Sequence, residues 1–298
     1  MTDDEREEEK AKAVGDDATS DLSRRDFVAL SIAAGIAAAA GDALAAELQV
    51  VETEVEIKTP DGTCDAAFIH PATGSHPGVL IWTDAFGLRP SMRTIGKRIA
   101  AEGYSVLVPN PFYRVSKSPQ FQDASAFNFQ AEGAKLQPLM GSVNAAGAAE
   151  KDAAAYIAFL DAQSQVNKSK KIGTQGYCMG GALVVRTAAA VPSRIGAGAS
   201  FHGGGLVTDK PDSPHLLAPR IKGRMYFGIA ANDDQRQPDG KDKLKAAFAA
   251  AHVPADVEVY SGAQHGWCVQ DMPNNIYSKA DAERAWGKLV ALYKTALA

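Results

Sequence analysis

Gly176-Tyr177-Cys178-Met179-Gly180-Gly181 is the stretch on which the reading of the fold turns. Upstream, Lys171-Ile172-Gly173-Thr174-Gln175 reads as a short strand; downstream, Ala182 to Arg186 opens an apolar, Ala-rich run that reads as a buried helix. Glycines on either side permit a sharp strand-to-helix turn and close packing of helix on strand, leaving the central side chain at the apex. The known elbow frame is G-x-S-x-G, and Gly176 to Gly180 fits it with sulfur in place of oxygen. No serine of the chain occupies such a frame, so Cys178 is the candidate nucleophile.

Outward from this turn, short apolar runs alternate with helical segments. Leu48 to Phe68 alternates polar and apolar residues about Pro60-Asp61-Gly62, which predicts an antiparallel hairpin. Val79 to Trp82 is an unbroken apolar run of the kind covered on both faces of a parallel sheet. Further strands are expected at Ser105–Val108, Ile195–Phe201, Met225–Ile229 and Val257–Tyr260, and helices at Ser91–Glu102, Val143–Leu160, Lys241–Ala251 and Ala280–Leu297. Strand and helix in alternation predict an α/β domain over residues 46–298, with a doubly wound, mostly parallel sheet behind an N-terminal antiparallel hairpin. Between Val115 and Met140 no clean period is visible; the segment reads either as a lid or binding loop or as a plain helix with its three phenylalanines in the core.

Residues 1–45 have a different character. They hold eleven acids and five bases, and residues 2–21 lack aromatics, the composition of a disordered tail. Ser23-Arg24-Arg25-Asp26-Phe27-Val28, an Ala/Gly-rich run to Ala40 and Ala43-Leu44-Ala45 then follow in the order of a twin-arginine export signal, which predicts passage through that export machinery, cleavage after Ala45 and a periplasmic or extracytoplasmic protein. The formal charge of −4 over 298 residues falls on that segment and indicates neither nucleic-acid binding nor a strongly charged substrate. Three cysteines, Cys64, Cys178 and Cys268, cannot all pair within one chain.

A catalytic cysteine needs a base, and the base an acid to orient it. Asn232-Asp233-Asp234 ends one expected strand and Gln264-His265-Gly266-Trp267 follows the next, so either acid could meet His265 and Cys178 at the carboxyl ends of the sheet. His202, which ends the strand after the nucleophile helix, is an alternative base. His70, His76, His215 and His252 read as exposed or structural.

The elbow, the acid after Asn232 and His265-Gly266-Trp267 together resemble the dienelactone hydrolase family, from about Val51 to Leu297. The resemblance implies an α/β-hydrolase fold, no metal or organic cofactor, and a carboxymethylenebutenolidase-like reaction on a small ester or lactone through a thioacyl intermediate. Cys178 is then the nucleophile, His265 the base and Asp233 the acid, with Asp234 the fallback. The N–H groups of Met179 and Ala85 are expected to form the oxyanion hole. Asp84 stands where the family has a glutamate against the thiol, and Arg114 where it has an arginine facing a substrate carboxylate; a second family arginine is replaced by Cys268 or Val269. A monomer is expected. Three rival readings are a Cys178–Cys268 redox pair, a non-catalytic binding protein on a hydrolase scaffold, and metal binding at His265 and Cys268, which has no clear further ligands.

Overall fold

Ten-residue strands β1 (Val50–Thr59) and β2 (Gly62–Pro71) form the predicted hairpin, in register from Val50 opposite Pro71 to Thr59 opposite Gly62. The computed structural model describes residues 48–298. The disordered-tail and export-signal expectations for residues 1–45 lie outside the described residues.

The chain continues through β3 (Gly78–Trp82), α1 (Pro90–Ala101), β4 (Ser105–Pro109), α2 (Phe129–Glu132), α3 (Leu136–Val143), α4 (Ala148–Ala162), β5 (Ile172–Tyr177) and α5 (Met179–Ala190). It ends with β6 (Ile195–Phe201), β7 (Arg224–Ala230), α6 (Ala231–Arg236), α7 (Gly240–Ala250), β8 (Ala255–Tyr260) and α8 (Lys279–Ala296). The sheet has eight strands in the order β1-β2-β4-β3-β5-β6-β7-β8. β2 runs antiparallel to both β1 and β4; every other pair is parallel. Every residue of β3, β4 and β5 is buried, as befits central strands covered on both faces. Edge strand β1 is different: Glu52, Glu54 and Glu56 line it, and Arg93 and Lys97 of α1 pair with Glu52, which makes the free edge unattractive to a second sheet.

Two boundaries depart from the sequence reading. The helix expected from Val143 begins five residues later, because Gly147 adopts φ +73 and separates α3 from α4. The unpatterned segment contains α2 and α3, and its Phe121, Phe127 and Phe129 close with Phe86 into an aromatic cluster with ring centroids 5.0–5.9 Å apart. It is therefore neither a bare loop nor one plain helix.

The register brings the carboxyl ends of five strands side by side: Trp82 lies opposite Gly176, Tyr177 opposite Phe201, Phe201 opposite Gly228 and Ala230 opposite Tyr260. The loops leaving these ends carry Asp84, Cys178, His202, Asp233 and His265.

Candidate active site

At the end of β5 the backbone of Cys178 takes φ +52 and ψ −115, a sparsely populated conformation that costs about 1–3 kcal/mol. The surrounding packing enforces it. A Cβ on Gly176 would lie 2.2 Å from the Gly180 carbonyl oxygen, and one on Gly180 would lie 2.6 and 2.7 Å from the carbonyl oxygens of Trp82 and Thr83. Only glycine lets helix α5 approach both strands this closely. Cys178 is thereby lifted to the mouth of a cavity of about 440 Å³, bounded by Met140, Val143, Ala149, Ala182 and Leu183 among others.

His265 follows β8, and Asp233 sits in the first turn of α6 after β7. His265 Nδ1 lies 2.7 Å from Asp233 Oδ2, and the His265 backbone N–H donates to Asn232 Oδ1 at 2.9 Å. The neighbouring acid is occupied elsewhere, since Asp234 Oδ1 accepts from Lys241 Nζ at 2.7 Å. Burial pulls the His265 pKa down, but the hydrogen bond to Asp233 and the adjacent Cys178 sulfur outweigh it and raise the imidazole to about 10. Cys178 is thus within interaction range of His265, although no hydrogen bond of full standard geometry joins the two, a looseness common before substrate binds.

His202 lies directly behind this pair, fully buried with φ +41. Its Nδ1 accepts from the Cys178 backbone N–H at 3.0 Å, and its ring meets those of His265 and Trp267 edge-on at 4.9 and 5.2 Å. Burial, reinforced by the charge on His265, holds its pKa well below the ordinary imidazole range. A neutral ring that accepts at Nδ1 carries its proton on Nε2, which has no protein partner. With Nδ1 engaged by the backbone, His202 is poorly placed to take a proton from the thiol.

Among the described residues, the N–H groups of Met179 and Ala85 have no protein acceptor. One opens α5 beside the thiol and the other follows β3, the strand paired with β5, so both are free to donate to a developing oxyanion.

Two of the expected site residues are engaged by other side chains. Asp84 is 1% exposed, and both oxygens of its carboxylate are engaged, by Arg89 and by the Phe86 N–H at 2.9 Å. Arg114 does not line the cavity: its guanidinium donates to Asp152 at 2.7 and 2.8 Å and to Asp61 at 2.8 Å. The two thiols of the redox reading open onto different cavities. Cys268 lines a smaller one of about 80 Å³ with Arg98, Tyr177 and Trp286, and all three cysteines are free. Sequence reasoning missed Asn232, Arg89 and Asp271 as members of the site's framework. Only Asn232, beside the acid, lay within reach of a local signal.

The strand order and the elbow define an α/β-hydrolase fold with a cysteine, an aspartate and a histidine following β5, β7 and β8. Residues 64–297 match the model of the Dienelactone hydrolase family, and the chain belongs to that family. A carboxymethylenebutenolidase from Rhodococcus opacus is 26% identical over 241 residues, covering 80% of this chain and 88% of that one. Among solved structures, a dienelactone hydrolase-like promiscuous phosphotriesterase from metagenomic libraries has a TM-score of 0.69 at 22% identity, covering 84% of this chain and 99% of its own. The dienelactone hydrolase of Anabaena variabilis has a TM-score of 0.57 at 15% identity, over 84% of this chain and all of its own.

Proposed function

We propose that this family member is a cysteine-dependent hydrolase of small esters or lactones, resembling carboxymethylenebutenolidase in chemistry. The observation that carries the reading is the Cys178 thiol at the apex of a strained elbow, open to a cavity and flanked by the His265–Asp233 pair. Asp233 fixes one His265 proton on Nδ1, and the raised imidazole holds the proton taken from the thiol on Nε2 before substrate binds. The thiolate adds to the carbonyl carbon, and the N–H groups of Met179 and Ala85 hold the resulting oxyanion. Collapse breaks the carbon–oxygen bond, His265 returns its proton to the leaving alcohol, and a thioester remains on Cys178. A water that loses its proton to His265 then attacks that thioester, releasing the acid and restoring the thiol.

The raised pKa of His265 suits this sequence. Part of the elevation comes from Cys178, and acylation removes the sulfur's charge, so the imidazole becomes a better neutral base when water must be activated. Hydrolysis of p-nitrophenyl acetate, with mass spectrometry of the quenched enzyme, tests the proposal. Wild type should turn over and carry an acyl adduct on Cys178, and Cys178→Ala should lose activity by at least about a thousandfold. Near wild-type activity in that variant overturns it.

We also propose that the chain is exported through the twin-arginine pathway and acts in the periplasm as a monomer on a small-molecule substrate. The Arg24-Arg25 pair, the apolar run and Ala43-Leu44-Ala45 support export. Intact mass of the extracytoplasmic form should begin at Ala46; retention of residues 1–45 there overturns cleavage.

A further inference from the structure

The cavity beside Cys178 has mostly small apolar walls, and its charged lining consists of Glu150, Arg186, Lys210 and Asp212. Arg186 is the one guanidinium in that lining, and it is already engaged. Its Nη1 donates to Glu150 Oε1 at 3.0 Å, and its Nη2 donates to the Asp212 main-chain oxygen at 3.0 Å and to Asp212 Oδ2 at 3.2 Å. Two carboxylates therefore face a single guanidinium. Lys210 is exposed and pairs with neither carboxylate, and the formal charge of the lining is zero.

Arg114 and Arg89 are equally committed. Arg114 is held by Asp61 and Asp152, and the fully buried Arg89 by Asp84 and Asp271; neither lines the cavity. A carboxylate entering beside Cys178 would meet no unclaimed guanidinium and would lie close to two carboxylates already there, with the exposed Lys210 the one unpaired cation of the lining. A neutral group meets no such cost.

We propose that the substrate is uncharged in its acyl part, a small neutral ester or lactone with no free carboxylate, an assignment that rests on the hydrolase reading above. The selectivity resides in the Glu150–Arg186–Asp212 cluster, which keeps the cavity's guanidinium occupied.

A matched pair of substrates tests this: mono-p-nitrophenyl adipate and its methyl ester, which share a leaving group and chain length and differ in one negative charge. The methyl ester should have the higher kcat/KM by at least about tenfold, most of it in KM. Equal or faster turnover of the acid overturns the assignment and leaves the hydrolase reading intact. No turnover of either removes both. The double variant Glu150→Gln, Asp212→Asn releases Arg186, and should cut the preference by about tenfold in favour of the acid. An unchanged ratio in a variant whose circular dichroism matches wild type overturns the role given to the cluster.

Discussion

Arg89 grips Asp84 through two parallel hydrogen bonds inside the protein, Nη1 to Oδ1 at 2.7 Å and Nη2 to Oδ2 at 2.9 Å. The same guanidinium holds Asp271 at 2.7 and 2.8 Å, so one buried cation joins the loop after β3 to the segment after His265. Ala85 lies within the loop so fixed. Arg89→Met strands one fully buried and one mostly buried carboxylate, and should cost about 3–5 kcal/mol of stability by urea unfolding. It should also lower kcat in the remaining folded protein, because the Ala85 N–H is no longer held.

Asp233 and Asp234 are adjacent, yet only one touches His265. Asp233→Asn should reduce kcat by about a thousandfold or more, through loss of the correct tautomer. Asp234→Asn breaks a half-exposed pair with Lys241 and should leave kcat within about threefold of wild type. Steady-state kinetics of the two variants separate these outcomes.

The His265 pKa is raised from 6.5 to about 10, so proton binding favours the folded state. The resulting stabilisation is fully present below pH 6.5 and is lost as pH rises through about 10. The advantage of wild type over His265→Gln in thermal unfolding should therefore shrink steadily across that window. A constant difference from acid to alkaline pH would contradict the assignment.

His202 is a positioning residue, since its Nδ1 shares the Cys178 backbone N–H with the Phe201 carbonyl, at 3.0 and 3.1 Å. His202→Phe removes one of these two acceptors and should lower kcat by about tenfold with little change in KM. His202→Asn returns an acceptor oxygen near the same place and should recover most of the loss. Equal impairment in both variants would mean that bulk, and not the hydrogen bond, is what matters.

Iodoacetamide near neutral pH should label one cysteine per chain. Burial pushes the Cys64 thiol up to about 12 and holds Cys268, at its cavity of about 80 Å³, well above the ordinary thiol range, whereas Cys178 opens onto the larger cavity of about 440 Å³. Peptide mapping should place the adduct on Cys178 with or without prior reduction.

Much of this architecture was legible in the chain because its signals are local. The alternation of Val51, Thr53, Val55 and Ile57 marks β1, and Val79 to Trp82 marks a strand buried on both faces. The elbow needs only six consecutive residues to be recognised. What escaped depends on contacts remote in sequence. Arg89 and Asp271 stand 182 residues apart, and nothing in the surroundings of Arg114 announces that Asp61 and Asp152 will claim it. The four-residue α2 is too short to show a period, and Ala145 to Ala149 reads as unbroken helix although Gly147 interrupts it.

The cavity wall formed by Met140 and Val143 belongs to a stretch that supplies no strand to the sheet and is pinned to the Ala85 loop by four phenylalanine rings. Part of the cavity's outline is thus carried by a piece of chain that holds none of Cys178, Asp233 and His265. Descendants of this protein can redraw the outline of what they accept, one residue at a time, while the machinery that cleaves it passes on unaltered.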